Sequence, residues 1–177
     1  MILSYRSLAF FNRARIMAAR AAAHPEVAKL LRDADTEGTA VWQDYGGLWL
    51  KSRPDIVSRR YPIAADLKTC LDASPEAFTR TVARYGYHFQ AAMGLDGLAR
   101  IGMPHRYWLL IAIEKLAPYD VMVHELTPDF LAIGRRDYLL ALDRLRGLEA
   151  HEFPGYDQTI NKLHPPAYLY KTLEQSE

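Results

Sequence analysis

Cysteine is almost absent. The 177-residue chain has a single one, Cys70, so it can build no disulfide framework and no four-cysteine zinc or iron–sulfur site. A lone thiol two positions after Lys68 is either a small buried residue or a neighbour of whatever that lysine does. Long apolar runs are absent as well: nothing approaches the ~18 residues of a membrane span. The opening MILSYRSLAFFNRAR is interrupted by arginines and has no signal-peptide cleavage region. A cytoplasmic location and no membrane partner are expected. Charge of one sign is lacking too. The net charge is +1, with ten Lys and Arg against six Asp and Glu in residues 1–60 and twelve against fifteen in residues 61–177. That balance neither supports nor excludes a nucleic-acid partner, because carboxylates reserved for metal would offset cations in a binding groove. There is no internal repeat, linker or low-complexity segment. With half its residues hydrophobic, the chain is expected to form a single domain over 1–177 with a real core. It divides into a helical part (1–36), a core (37–149) and a tail (150–177) that wraps the domain or a neighbouring subunit.

What is present centres on Lys51 to Gln90. Asp55 and Asp66 both fall on strand-like segments, and Lys68 follows Asp66 by two. In a strand, residues two apart share a face, so Asp66 and Lys68 project side by side. Ile63-Ala64-Ala65 leads straight into Asp66, which places that carboxylate at the far end of a buried strand. Paired carboxylates suit Mg²⁺, a hard cation that takes oxygen ligands and keeps several waters. An ammonium beside them can orient a water and face developing negative charge. Taken alone, Asp-x-Lys is common and reads equally as a strand-end pair facing solvent.

The flanking elements follow from period and punctuation. Ser4 to Arg32 has a helical period broken at His24-Pro25. Asp33 to Gly38 reads as a loop. Thr39 to Gln43 and Leu48 to Asp55 read as strands around the turn Asp44-Tyr45-Gly46-Gly47. In the second strand Lys51 and Arg53 share the parity of Asp55, which sets two cations on its face, for phosphate or for solvent. Pro62 starts a third strand, and the three form a meander. Ser74 and Pro75 suit a helix start. A stripe of Phe78, Val82, Tyr85, Phe89 and Met93 then faces the sheet. Beside it run the small row Thr79, Ala83, Gly86, Gln90 and an edge of Arg80, Arg84 and Tyr87, which either meets phosphate or is solvated. Tyr107–Lys115 and Asp120–Leu126 read as strands. A long helix follows from Thr127-Pro128 to about Glu149, in which Gly134 marks a kink or a close contact. The order α, three strands, α, two strands, α gives an α/β protein with a central mixed sheet flanked by helices.

Several motifs in order carry a resemblance. Arg53-Pro54-Asp55, Ala65-Asp66-Leu67-Lys68-Thr69, Asp72-Ala73-Ser74-Pro75, Tyr85 through Ala92, Ile113-Glu114-Lys115 with Pro118-Tyr119, and Phe153-Pro154-Gly155-Tyr156 together resemble the PD-(D/E)xK nucleases. Within them, the chain resembles the phage-type exodeoxyribonuclease VIII group, close to the RecB-like nucleases. The likeness runs roughly from His24 to Tyr168, and motifs in the right order are far more specific than any one of them.

The resemblance implies a restriction-endonuclease-like fold and Mg²⁺-dependent hydrolysis of linear double-stranded DNA from its ends, with Mn²⁺ as an alternative metal. Metal would be held by Asp55, Asp66 and the Leu67 carbonyl. Glu37, five before Trp42, would contribute directly or through water, or be no more than a loop carboxylate. Lys68 would position water, and Gln90 would lie at the site, or else at the surface. Lys51, Arg53, Arg80, Arg84 and Tyr87 are the candidate nucleic-acid contacts. A ring-shaped homo-oligomer and a single-strand annealing partner are implied as well. Two departures stand out. Gly94 replaces the tyrosine usual in Gln-Ala-Ala-x-Tyr, and the upstream Gly-Thr-x-x-His helix is missing, since Gly38-Thr39-Ala40-Val41-Trp42 lacks the histidine. A shortened nuclease is therefore expected. A catalytically impaired DNA-binding or assembly subunit on the same fold, or an endonuclease of the same superfamily, is the alternative.

Overall fold

A proline sets the first boundary. Helix α1 (Tyr5–Ala23) stops at His24, and α2 (Pro25–Leu31) starts on Pro25, whose missing N–H costs nothing at a first helical position. The computed structural model describes residues 5–148, 155 and 159–165. By its contacts the chain divides into two compact units, Met1–Arg146 and Gly147–Glu177. Every helix and strand among the described residues lies in the first. Phe153, Pro154, Tyr156 and most of the 150–177 tail fall outside the described residues.

Among the described residues seven strands follow, in two sheets. The main sheet contains β1 (Ala34–Thr36), β4 (Ile56–Ser58), β5 (Ile63–Cys70), β6 (Tyr107–Glu114) and β7 (Val121–Glu125), in the order β1-β4-β5-β6-β7. Only β5 and β6 run parallel; the other neighbours are antiparallel. The β5-to-β6 crossover carries α3 (Pro75–Tyr85) and α4 (Tyr87–Arg100), as a parallel connection requires. β2 (Ala40–Gln43) and β3 (Trp49–Ser52) form a separate hairpin. The expected mixed sheet flanked by helices is what forms.

Each sheet face has its own cover. Met17 and Ala21 of α1, with Val27 and Leu30 of α2, pack on Ile56, Ala65, Ile111 and Ile113. Phe78, Val82, Ala91, Leu95 and Leu98 of α3 and α4 pack on Ala64, Cys70, Trp108, Leu110 and Ala112. Full burial of each large apolar side chain contributes about 1.5–3 kcal/mol. Cys70 is thus a small core residue. Asp66 and Lys68 have the parity of Ala64, so they point toward the α3–α4 layer.

The structure corrects several expectations. Asp33–Gly38 is not all loop, since Ala34–Thr36 pairs with β4 as an edge strand. Its polar Asp35 and Thr36 hide the strand period. The strand expected over Leu48–Asp55 ends at Ser52, because Pro54 has no N–H to give a ladder and the chain leaves the hairpin there. Lys51, Arg53 and Asp55 therefore do not share a strand face, and the three strands are not one meander. β5 runs on to Cys70, which puts Asp66 mid-strand rather than at its end. The helix after Ser74 breaks at Gly86, which has a left-handed φ of 68°, so Phe89 and Met93 belong to a second helix and the stripe is not continuous; Tyr85, the last residue of the first, is 62% exposed.

Helix α5 (Pro128–Arg146) crosses α4 closely. A Cβ on Gly134 would lie 2.1 Å from the His88 carbonyl oxygen, so Gly134 serves a close contact. Alongside, Arg135 clasps Asp96 through two hydrogen bonds of 2.8 and 2.6 Å. Tyr138 donates its hydroxyl to the same carboxylate; burial, then Asp96, push that phenol's pKa up. Gly94 has a comparable role, since a Cβ there would meet the Trp108 ring at 2.5 Å. A tyrosine at 94 has no room while Trp108 fills the space.

Gly134→Ala tests the crossing. Alanine gains about 1 kcal/mol in helix propensity, but the obstacle is backbone, which cannot rotate aside, and overpacking costs about 1–3 kcal/mol. The variant should unfold at lower urea concentration than the parent. An unchanged or higher midpoint would contradict the close contact.

Candidate active site

The site lies where β4 parts from β5. Their ladder pairs Val57 with Ala64 and Ile56 with Ala65. One step further, Asp55 and Asp66 stand opposite each other, and there Pro54 turns the chain away. Side chains replace the missing ladder. Asp55 N–H donates to Asp66 Oδ1 at 3.2 Å, and Leu67 N–H donates to Asp55 Oδ2 at 2.6 Å. The Asp55 carbonyl accepts from Glu37 N–H at 3.1 Å. Each aspartate thus holds the other's strand, and two carboxylates converge at the opening.

Asp66 is 1% exposed. Its Oδ2 lies 3.1 Å from Lys68 Nζ, yet the approach is not aligned as a hydrogen bond, and this buried oxygen has no other partner. Burial pushes the Asp66 carboxyl above the ordinary carboxylate range; Lys68 pulls it down, and the charge on Asp55 raises it further. A buried carboxylate oxygen without a hydrogen-bond partner, with the charge of a second carboxylate nearby, fits a divalent cation, since Mg²⁺ needs only one or two carboxylates when water and substrate supply the rest.

Lys68 is held on three sides. Besides Asp66, its ammonium donates to Gln90 Oε1 at 2.8 Å and lies 4.8 Å from the centroid of the Tyr87 ring. Gln90 sits in the first turn of α4, and the left-handed Gly86 lets that helix begin at the angle required. The structure therefore brings together Asp55, Asp66, Lys68, Gln90 and Tyr87, with Leu67 on the intervening backbone.

It does not gather the rest. Glu37 pairs with Arg53 at 3.2 Å, both largely exposed. Among the described residues no group of three or more His, Cys, Asp and Glu is placed to hold a metal ion, so Glu37 does not join the two aspartates as a third acid. Lys51 and Arg53 line a separate depression with Thr39 and Ser52 at the open end of the hairpin. Arg80 and Arg84 line a different groove, of about 850 Å³, with Cys70, Tyr85 and Lys115, and Tyr87 borders both it and Lys68. Sequence reasoning missed Tyr85 and Lys115 as lining residues; the signal available was two tyrosines flanking a glycine. Glu114 is structural: its Oε1 accepts from Ala73 N–H at 2.9 Å, while His124 Nε2 meets the Ala73 carbonyl at 3.0 Å.

Comparison with known proteins bears on the family and the fold. A family model described as "PDDEXK-like domain of unknown function (DUF3799)" matches residues 4–163. The chain belongs to this PDDEXK-like family. The match reaches the PD-(D/E)xK class and does not reach the narrower exodeoxyribonuclease VIII group. Among solved structures, one named "Putative exonuclease" from Eubacterium rectale is similar at a TM-score of 0.63 and 16% identity, over 97% of this chain and 69% of that one. At that identity the likeness establishes the fold alone. The crystal structure of SSO0001 gives a TM-score of 0.41 at 17% identity, over 84% of this chain and 73% of that one, too low to carry an argument. No curated protein matches the chain.

The raised Asp66 carboxyl has a consequence for this PDDEXK-like domain. An acid whose pKa is higher folded than unfolded binds more protons in the native state, so stability is full below the ordinary carboxylate range and falls as pH rises through the raised value. With chelator present, the parent's urea midpoint should fall across that window more than the midpoint of Asp66→Asn, which has no proton to lose while Lys68 and Asp55 remain. Parallel pH profiles would contradict the burial-driven shift.

Proposed function

We propose that the protein is a metal-dependent exonuclease that hydrolyses phosphodiester bonds of linear double-stranded DNA, of the kind used in phage-type recombination. The observation that carries this reading is the opposed Asp55–Asp66 pair with Lys68 held beside it. The backbone bonds account for one oxygen of each aspartate; the structural tie does not require the second, buried oxygen of Asp66, which has no hydrogen-bond partner, or the lysine held beside it. Asp55, Asp66 and the Leu67 carbonyl would hold the Mg²⁺, or Mn²⁺ in its place. When bound, the ion lowers the pKa of a coordinated water and stabilises charge on the phosphate.

The chain's own groups do the rest. Asp66 fixes Lys68 Nζ from one side, and Gln90 fixes it from the other. The ammonium then orients the attacking water and faces the negative charge that develops as the water oxygen bonds to phosphorus and the bond to the leaving sugar oxygen breaks. Burial of Asp66 limits bulk water around these groups and strengthens each charge–charge contact. A homo-oligomer and an annealing partner for the strand left behind belong to the same reading and rest on the motif resemblance. The name of the Eubacterium rectale neighbour is in line with it, although that likeness bears on the fold only.

The test is degradation of linear and closed circular duplex DNA with Mg²⁺. The parent should consume linear DNA and leave circles intact. Asp66→Ala and Lys68→Ala should each slow the reaction by about 10²-fold or more while the far-ultraviolet spectrum is unchanged. Attack on circles would make it an endonuclease. No attack on either substrate would favour the non-catalytic reading, a DNA-binding or assembly subunit on a nuclease fold.

A further inference from the structure

The groove at the C-terminal end of β5 has a composition that the hydrolytic site does not require. Its walls are Thr69 to Asp72, one face of α3, and Lys115, enclosing about 850 Å³. Three cations, Arg80, Arg84 and Lys115, face it with one carboxylate, Asp72, whose Oδ1 already accepts the Ser74 N–H at 2.8 Å. Arg80 and Arg84 are one helical turn apart, about 5–6 Å between their Cβ atoms. Tyr85 stands in the groove 62% exposed. Its ring stacks on that of Tyr87 at 5.8 Å and 21° between planes, and Tyr87 in turn lies against Lys68. The aromatic pair thus links the groove to the catalytic lysine. Two of the groove's walls are tied directly, since the Lys115 N–H donates to the Cys70 carbonyl at 2.9 Å.

We propose that this groove binds an unpaired DNA strand, with Tyr85 as the base-stacking surface, Arg80, Arg84 and Lys115 as phosphate contacts, and Tyr87 as the link to Lys68. The inference rests on the nuclease reading of the neighbouring carboxylates and names the form of DNA that reaches them. An exposed ring in a cationic groove suits single strands, because every base has a π-face and stacking is indifferent to sequence. In a duplex those faces are covered by neighbouring bases, and a ring lying in a groove wall cannot reach them. The strand end of a linear duplex therefore has to fray to occupy the groove.

The experiment is fluorescence anisotropy of the full chain in EDTA, where no strand is cut. The probes are a labelled oligothymidine and a blunt duplex of equal length. Tyr85→Ala should weaken oligothymidine binding about tenfold and duplex binding by less than about twofold, while Tyr85→Trp retains the parent's affinity. Arg84→Ala should lower the salt dependence of oligothymidine binding by about 0.7 in slope. An unchanged oligothymidine affinity in Tyr85→Ala, an equal loss on both probes, or no oligothymidine binding by the parent would each overturn the proposal. The nuclease reading fails separately, if the parent leaves linear DNA intact with Mg²⁺; the Tyr85 result on oligothymidine would still decide whether the groove binds single strands.

Discussion

Two strands that should keep pairing do not, and two aspartates occupy the gap. Where β4 leaves β5, the Asp55 N–H reaches Asp66 Oδ1 and the Leu67 N–H reaches Asp55 Oδ2. These bonds satisfy backbone groups that a continued ladder would have satisfied. They also fix both carboxylates within one opening of the sheet, which makes the structural device and the chemical one the same. Pro54 enforces the parting. Without it the ladder could extend, and the carboxylates would lie on a closed sheet face.

The remaining layers serve to hold a lysine against that pair. β5 gives Lys68 the parity of Asp66, and the parallel crossover returns α4 over the same face. Gly86 lets α4 start at an angle that brings Gln90 to the ammonium and Tyr87 over it. α4 itself is held by close approaches that only glycine permits, Gly94 on Trp108 and Gly134 on the His88 carbonyl, and by the Asp96 clasp with Arg135 and Tyr138. Packing far from the carboxylates therefore sets the position of the amide that faces Lys68. A half-buried lysine with fixed neighbours loses little freedom when substrate arrives, which is how preorganised charge acts on a transition state.

Much of this was legible in the sequence, for identifiable reasons. Helical period marked α1, α2 and α5, and β6 was marked by a continuous apolar run, because it is buried on both faces. Asp66 and Lys68 were paired correctly by parity alone. The errors fall where local pattern and tertiary structure part. β1 is three residues long, with two polar residues on an edge, so it shows no period. Lys51, Arg53 and Asp55 alternate as a strand would, but Pro54 ends the strand before the alternation does. Apolar spacing continues through Gly86 as though the helix did, and only the left-handed φ breaks it, which leaves Tyr85 at an exposed helix end and sets Phe89 and Met93 on a second helix. Glu37 lies near Asp55 through its backbone, while its side chain is bound to Arg53; sequence spacing does not distinguish the two.

The account depends most on the claim that the Asp55–Asp66 pair is a cation site and more than a structural tie. Crystals of the protein soaked in Mn²⁺ and measured at the manganese absorption edge test that claim directly. The account predicts an anomalous peak in contact with the carboxylates of both Asp55 and Asp66. No peak there at saturating Mn²⁺, or peaks only elsewhere on the molecule, would contradict it and leave the two aspartates as a tie across a split sheet.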